Sequence, residues 1–295
     1  HDDERPIDRA DLSLLDEASI NNYILQMKLN RPYFSKLSEK QIYELLSITR
    51  NGIPTLASVL NFGIYPQGLL PQLAITATVI PGTKIGETTN DGVRFLDNKR
   101  IEGTLSEMLD EAIAFCNRNM RTQTIIDQNT GKRNDKTEYP INAIREAIIN
   151  ALIHRDYSIH TEGTTIQISF FTNRLEIHSP GSLYGRMTVN DLGKARPDLR
   201  NPALATMSEF LLMTENKYSG IPTIRREMKE YGLPEPLFEN KRNEFVVTLF
   251  NKTESPIDDI HDNTDLITFC KTPRTRQEIS DYLDLKTVYF VTKKY

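Results

Sequence analysis

At 295 residues the chain is long enough for two domains and a small third. Its 38% hydrophobic and 26% charged residues describe an ordinary globular protein, and a net charge of −4 excludes an overall basic field, so any nucleic-acid binding has to be local. The two cysteines, Cys116 and Cys270, lie far apart without His or Cys at ligand spacing, which excludes a disulfide framework and a structural zinc site and fits a reducing cytoplasm. No apolar run is long enough to span a bilayer, and His1-Asp2-Asp3-Glu4-Arg5-Pro6 is not a signal peptide. The start reads as the interior of a longer protein and the end, Lys293-Lys294-Tyr295, as cut short. The expected location is cytoplasmic, with no membrane partner.

Residues 8–30 carry a helical pattern with Leu12, Leu15, Ile20, Tyr23, Ile24 and Met27 as its apolar positions. Ser38 and Gln41 form a capping box that opens a second helix, stopped by Asn51-Gly52 and Pro54. Thr55–Phe62 is apolar and helical again. Gln72–Ile80 alternates and is rich in β-branched residues, which predicts a strand. Residues 84–100 read as a loop followed by a short strand around Val93–Leu96. A long helix runs from about Thr104 to Met120, and residues 127–137 form a polar hairpin tip or loop. A helix over residues 140–158 precedes a hairpin, in which Thr164–Phe171 and Arg174–His178 are joined at Thr172-Asn173 and broken by Ser179-Pro180-Gly181. Helices around 202–212 and 222–231 and a strand over Glu244–Phe250 follow. Residues 251–264 have a linker composition, and 265–295 carry the rhythm of a helix-turn-helix or of an ordinary helical tail. Helices flanking mixed strands predict an α+β chain built as a two-layer sandwich.

The 140–158 segment carries Glu146, Asn150 and His154 at four-residue steps on an otherwise apolar helix. Residues four apart stack on one face, so an acid, an amide and an imidazole form one polar stripe. A buried polar stripe needs partners. Two readings are open. In one, the amide oxygen ligates Mg²⁺ and the carboxylate orients or deprotonates a water beside a terminal phosphate. In the other, Glu146 pairs with Arg145 or Arg155, Asn150 bonds a loop, and His154 is a satisfied core histidine.

Glu146-x-x-x-Asn150-Ala151 resembles the N-box of the GHKL ATPase superfamily. The run Arg145–Ser158 is similar to the core motif of RecG-related, Schlafen AlbA-type bacterial regulators. Further pieces in the same order are Arg174–Gly181 with its Ser-Pro-Gly turn, Arg200-Asn201-Pro202, Ser219-Gly220-Ile221-Pro222 and Gly232-Leu233-Pro234-Glu235-Pro236. Thr55–Pro66 looks like the region just after the AlbA-like half.

The resemblance implies a GHKL-like two-layer α/β sandwich over 101–250. It places the C-terminal part of an AlbA-like domain at 1–100, a linker at 251–264 and a partial winged helix at 265–295. It implies ATP and Mg²⁺ as cofactors, Glu146 as general base and Asn150 as Mg²⁺ ligand, with Ser179, Gly181, Ser219 and Gly220 around the nucleotide. Ser179 stands where the superfamily has an Asp that reads the adenine amino group; it can accept a hydrogen bond but is uncharged, which argues against hydrolysis. DNA is the implied partner, contacted by Arg274, Arg276, Lys286, Lys293 and Lys294, and the implied assembly is a homodimer; a solvated basic face is the alternative for those five residues. Gly131-Lys132 and Gly193-Lys194 both lack the rest of a phosphate-binding loop, so a helicase motor is rejected. His154-Arg155-Asp156 comes without the other kinase motifs, and Asp156 and Ser158 are expected to anchor the turn after the helix. The expected function is that of a DNA-binding transcriptional regulator with an ATP-binding domain. The alternatives are an active Mg²⁺-dependent ATPase and an inert dimerisation module.

Overall fold

The structure is a computed structural model and describes residues 1–126, 133–195, 198–212 and 220–251. Its helices, in chain order, are α1 (Glu17–Asn30), α2 (Glu39–Leu45), α3 (Leu56–Phe62), α4 (Pro66–Leu69), α5 (Leu105–Asn119), α6 (Ile141–His154), α7 (Pro202–Leu211) and α8 (Gly220–Glu230). Its strands are β1 (Thr49–Arg50), β2 (Ile53–Pro54), β3 (Ile75–Val79), β4 (Asp97–Ile101), β5 (Thr122–Ile126), β6 (Arg133–Thr137), β7 (Ile166–Phe170), β8 (Arg174–Pro180), β9 (Leu237–Lys241) and β10 (Glu244–Phe250). The fold is α+β.

Local chemistry sets the helix starts. The Ser38 and Thr104 capping boxes close α2 and α5 through Gln41 and Glu107. Asp16, rather than a residue near position 8, caps α1, so the helix begins at Glu17 and Leu12 is exposed. Asn51 and Gly52 both take positive φ, and this two-residue turn joins β1 to β2 as a tight hairpin.

Six strands form one mixed sheet in the order β4-β3-β7-β8-β10-β9, in which only β3 and β7 run parallel. The chain between those two strands crosses over through α5 and α6. Strands from both sides of residue 100 share this sheet, and His1–Asn251 forms one unit. The expected strand at Val93–Leu96 lies instead at Asp97–Ile101: backbone pairing with β3 fixes it there, while Val93, Phe95 and Leu96 are exposed. Of residues 127–137, expected as a hairpin tip or loop, 133–137 form strand β6 and pair antiparallel with β5. β8 runs on through Pro180 because β10 pairs with it to its end. β9 was not expected; only Phe238 of its residues is buried, so the sequence carries little apolar signal there. The expected linker at 251–264 and winged helix at 265–295 lie outside the described residues, apart from Asn251.

α5 packs on β3 and β4, and α6 packs on β8, α5, α7 and α8. Those neighbours explain why α6 is apolar nearly all round, with Ala143, Ile144, Ala147, Ile148, Ile149, Ala151, Leu152 and Ile153 buried. On the helix side of the sheet, Ile168, Ile177 and Val247 sit in register across three strands. Gln167, His178 and Val246 form the alternate row, on the opposite face.

Candidate functional site

α6 is anchored at its C-terminal end, where a helix leaves carbonyls without partners. The Ser179 hydroxyl donates to Ala151 O at 3.1 Å, and the Tyr157 hydroxyl donates to Leu152 O at 2.6 Å. Asn201 Nδ2 donates to both Ile153 O and Arg155 O at 2.8 Å. The next residue, Pro202, occupies the first turn of α7, so the Arg-Asn-Pro motif joins the end of one helix to the start of another. Arg155 is fully buried and spends its guanidinium on backbone carbonyls, at 3.1 Å from Thr161 O and 2.8 Å from Thr164 O. Asp156 Oδ1 accepts from Ser158 N, the turn anchor expected after the helix.

With its end fixed in this way, α6 presents the polar stripe to a cavity of about 200 Å³. Glu146, Asn150 and His154 all line it, together with Ser179, Gly181 and Gly220. Most of the wall is apolar, from Ile149, Ile153, Leu183, Met187, Ile221 and Phe245. An apolar hollow with a few convergent polar groups is the usual form of a small-molecule site.

Two glycines shape the cavity. Gly220, the first residue of α8, sits against the stripe: a Cβ there would lie 2.8 Å from Asn150 Nδ2 and 3.1 Å from Glu146 Oε2. The N-terminus of α8 therefore abuts the acid–amide pair, and a helix N-terminus favours negative charge. Gly181 takes φ +100°, and a side chain there would collide with Asp156 and come within 2.5 Å of Arg200 Nη1.

Asn150, His154 and Ser179 meet the cleft in different states. Asn150 Nδ2 is buried without a hydrogen-bond partner among the described residues. His154 is exposed by surface area, while the protein around the cleft desolvates its ring. That desolvation, with the nearby charge of Arg200, lowers its pKa to about 4, so the imidazole is neutral at pH 7. Ser179 is 6% exposed with its proton engaged by Ala151 O.

A second, polar cavity of about 570 Å³ lies on the opposite face of the sheet and shares Gly181, Ser182 and Arg200 with the first. Beside it, His178 bonds Glu176 at 2.9 Å and Glu244 at 3.1 Å, while Arg174 Nε bonds Glu176 at 2.6 Å. Burial pushes the Glu176 carboxyl up, but hydrogen bonds and charge from His178 and Arg174 outweigh it and hold the pKa at about 2. Burial pushes His178 down, and bonds to both glutamates reverse the direction and raise it.

The structure thus brings Glu146, Asn150, Ser179, Gly181 and Gly220 around one cavity. Ser219, Arg274, Arg276, Lys286, Lys293 and Lys294 lie outside the described residues. The wall residues Leu183, Tyr184, Met187, Leu192 and Leu199 were not found in the sequence, because they lie outside the periodic elements. Arg200 and Asn201 were visible only as a motif; the one local cue to their role was a proline at a helix start. Among the described residues no group of three or more His, Cys, Asp or Glu could hold a metal, and no helix is long and apolar enough to cross a membrane.

Residues 163–249 match the family model described as "Putative ATP-dependent DNA helicase recG C-terminal". This stretch contains β7 to β10, α7 and α8, but begins after α6, so Glu146 and Asn150 lie outside it. No curated protein matches the chain. Among solved structures, the crystal structure of the DIP2311 protein from Corynebacterium diphtheriae is similar, with a TM-score of 0.63 and 19% identity. The likeness covers 97% of this chain and 58% of that one, and at this identity it is a likeness of fold. The chain thus spans little more than half the length of that protein.

Proposed function

We propose that the cleft beside α6 binds a nucleotide, and that the chain is a RecG-related, DNA-binding regulator built around a GHKL-like two-layer module. The observation that carries the reading is the meeting of Glu146 and Asn150 with the glycine start of α8 at one end of an apolar cavity. The similarity of residues 163–249 to a RecG C-terminal family model supports it. So does the packing of α5 and α6 on the sheet.

The residues present fit a magnesium nucleotide. Mg²⁺ takes oxygen ligands and is commonly held by one or two protein groups plus phosphate oxygens and water, so a three-residue cage is not required. Asn150 supplies an amide oxygen, and Glu146 lies one turn away to orient a water. Gly220 gives phosphate oxygens close access to backbone at a helix start. Bound Mg²⁺ would neutralise phosphate charge. Ser179 brings no carboxylate to the far end of the cleft, so the module binds and senses nucleotide with little turnover. DNA contact falls to Arg274, Arg276, Lys286, Lys293 and Lys294, whose sequence carries the helix-turn-helix rhythm.

One titration series tests both parts. The full chain is expected to bind Mg-ATP with slow or no hydrolysis. Glu146→Ala abolishes residual turnover while keeping binding, Asn150→Ala loses the Mg²⁺ dependence, and Arg274→Ala/Arg276→Ala weakens retardation of duplex DNA. Absence of binding at millimolar ATP overturns the nucleotide part, and DNA retardation unchanged in the double variant overturns the assignment of those contacts.

A further inference from the structure

The polar cavity on the sheet's second face takes no part in the proposed nucleotide site. It lies between the loop that follows α6, residues 156–165, and the tight turn from β9 to β10, residues 242–243. The end of β8 closes it: Gly181 N donates to Asn243 O at 2.8 Å, and the Ser182 hydroxyl donates to Arg242 O at 3.1 Å. Its volume of about 570 Å³ is that of a small-molecule site, but among the described residues Pro180 is the one apolar side chain on its wall.

Two guanidinium groups border this cavity without a carboxylate partner. Arg242 is exposed, and its side chain has no hydrogen-bond or ion-pair partner among the described residues. Arg200 Nη2 donates to Ser182 O at 2.8 Å and the group lies 5.1 Å from the centre of the Tyr184 ring, but Nη1 is buried with no partner among the described residues. A buried N–H left unpaired costs free energy, and a positive charge that no side chain neutralises attracts anions. The acids of the wall are already engaged: Glu244 bonds His178 at 3.1 Å, and Asp156 Oδ1 accepts from Ser158 N at 2.8 Å. Gln167, Asn243 and His160 are exposed on the wall, each able to donate, and their side chains have no partner among the described residues. A wall rich in free donors calls for a ligand rich in acceptors.

We propose that this cavity is an oxyanion site: it takes a small carboxylate or phosphate compound, whose oxygens are met by the Arg242 guanidinium and the amides of Gln167 and Asn243 in the positive field of Arg200. A guanidinium presents its N–H groups as a planar fork that matches either anion. Arg242 stands on a two-residue turn between paired strands, so its backbone is fixed while its side chain is free to close on the ligand. The site does not depend on the nucleotide reading, since neither Glu146 nor Asn150 borders it.

The test titrates the full chain at constant pH with inorganic phosphate and with citrate, each against sodium chloride at equal ionic strength, and follows the histidine ring C–H resonances by NMR. His160 and His178, on the cavity wall, are expected to shift saturably with at least one of the two anions, and more than His154 does. The tighter of the two anions tells a phosphate ligand from a carboxylate one. Arg242→Gln is expected to weaken that binding at least tenfold. The absence of a saturable shift with either anion overturns the proposal, as do equal shifts with chloride, which mark screening alone. Shifts centred on His154, which put the anion in the cleft beside α6, overturn it too, and so does an affinity unchanged in Arg242→Gln.

Discussion

Gly181 and Gly220 are both glycines on the cleft, and they are required for different reasons. Gly181 carries φ +100°, a region that L side chains rarely adopt, and any Cβ would press on Asp156 and Arg200. Backbone strain costs about 1–3 kcal/mol at such a position, and steric overlap with a packed neighbour adds to it. Gly181→Ala is therefore expected to lower stability by roughly 2–4 kcal/mol, read as a lower urea midpoint with an unchanged slope. A loss of stability under about 0.5 kcal/mol would show that the loop relaxes around the methyl group. Gly220 has no such backbone constraint; its closeness to two side-chain ends concerns space in the cleft, not folding. Ser179 also reads differently once its bonds are known. In the sequence it is a weakened ligand contact, whereas in the structure its hydroxyl closes a carbonyl of α6.

At the scale of elements, α6 is held less by its own sequence than by what receives its last carbonyls. Those acceptors are met by Ser179 from β8, Tyr157 from the following turn and Asn201 from the start of α7. A buried carbonyl left without a donor costs about 1–3 kcal/mol. Asn201 serves Ile153 O and the carbonyl of Arg155 just past the helix and is 1% exposed, so Asn201→Ala is expected to cost roughly 2–4 kcal/mol. Hydrogen exchange is the discriminating measurement, because the loss should centre on the α6–α7 junction. Uniform exchange acceleration across the sheet would contradict that local role. The capping boxes of α2 and α5 were legible because each lies within four consecutive residues. The Asn201 contact spans 48 residues, and no local pattern announces it.

For the whole molecule, the sheet's second face gives stability a pH dependence. His178 has a folded pKa above its unfolded value, so its contribution is complete below about 6.5 and is lost as pH rises through the raised value. Glu176 has a folded pKa of about 2, so its contribution is present above its ordinary value of 4.5 and is lost as pH falls toward 2. His154 is depressed to about 4 and opposes folding as pH drops from 6.5 toward 4. Melting temperature measured against pH should show His178→Gln less stable than wild type between pH 5 and 6. The gap should narrow as pH rises past the raised pKa of His178. A gap that is constant with pH would mean that His178 acts through packing and not through its charge.

The polar stripe, the helix starts, the hairpin and the α+β class were set by residues close together in the sequence, because capping, periodicity and turns act over a few positions. β4, β6 and β9 were set by pairing partners, since strands this polar form through a neighbour's backbone and not through their own pattern. The sequence alone placed an acid, an amide and an imidazole on one side of a helix. Only the tertiary structure decided that this side faces a cavity, because that depends on α8 docking its glycine start against the stripe and on walls from segments far away in the chain, from Ser179 to Phe245.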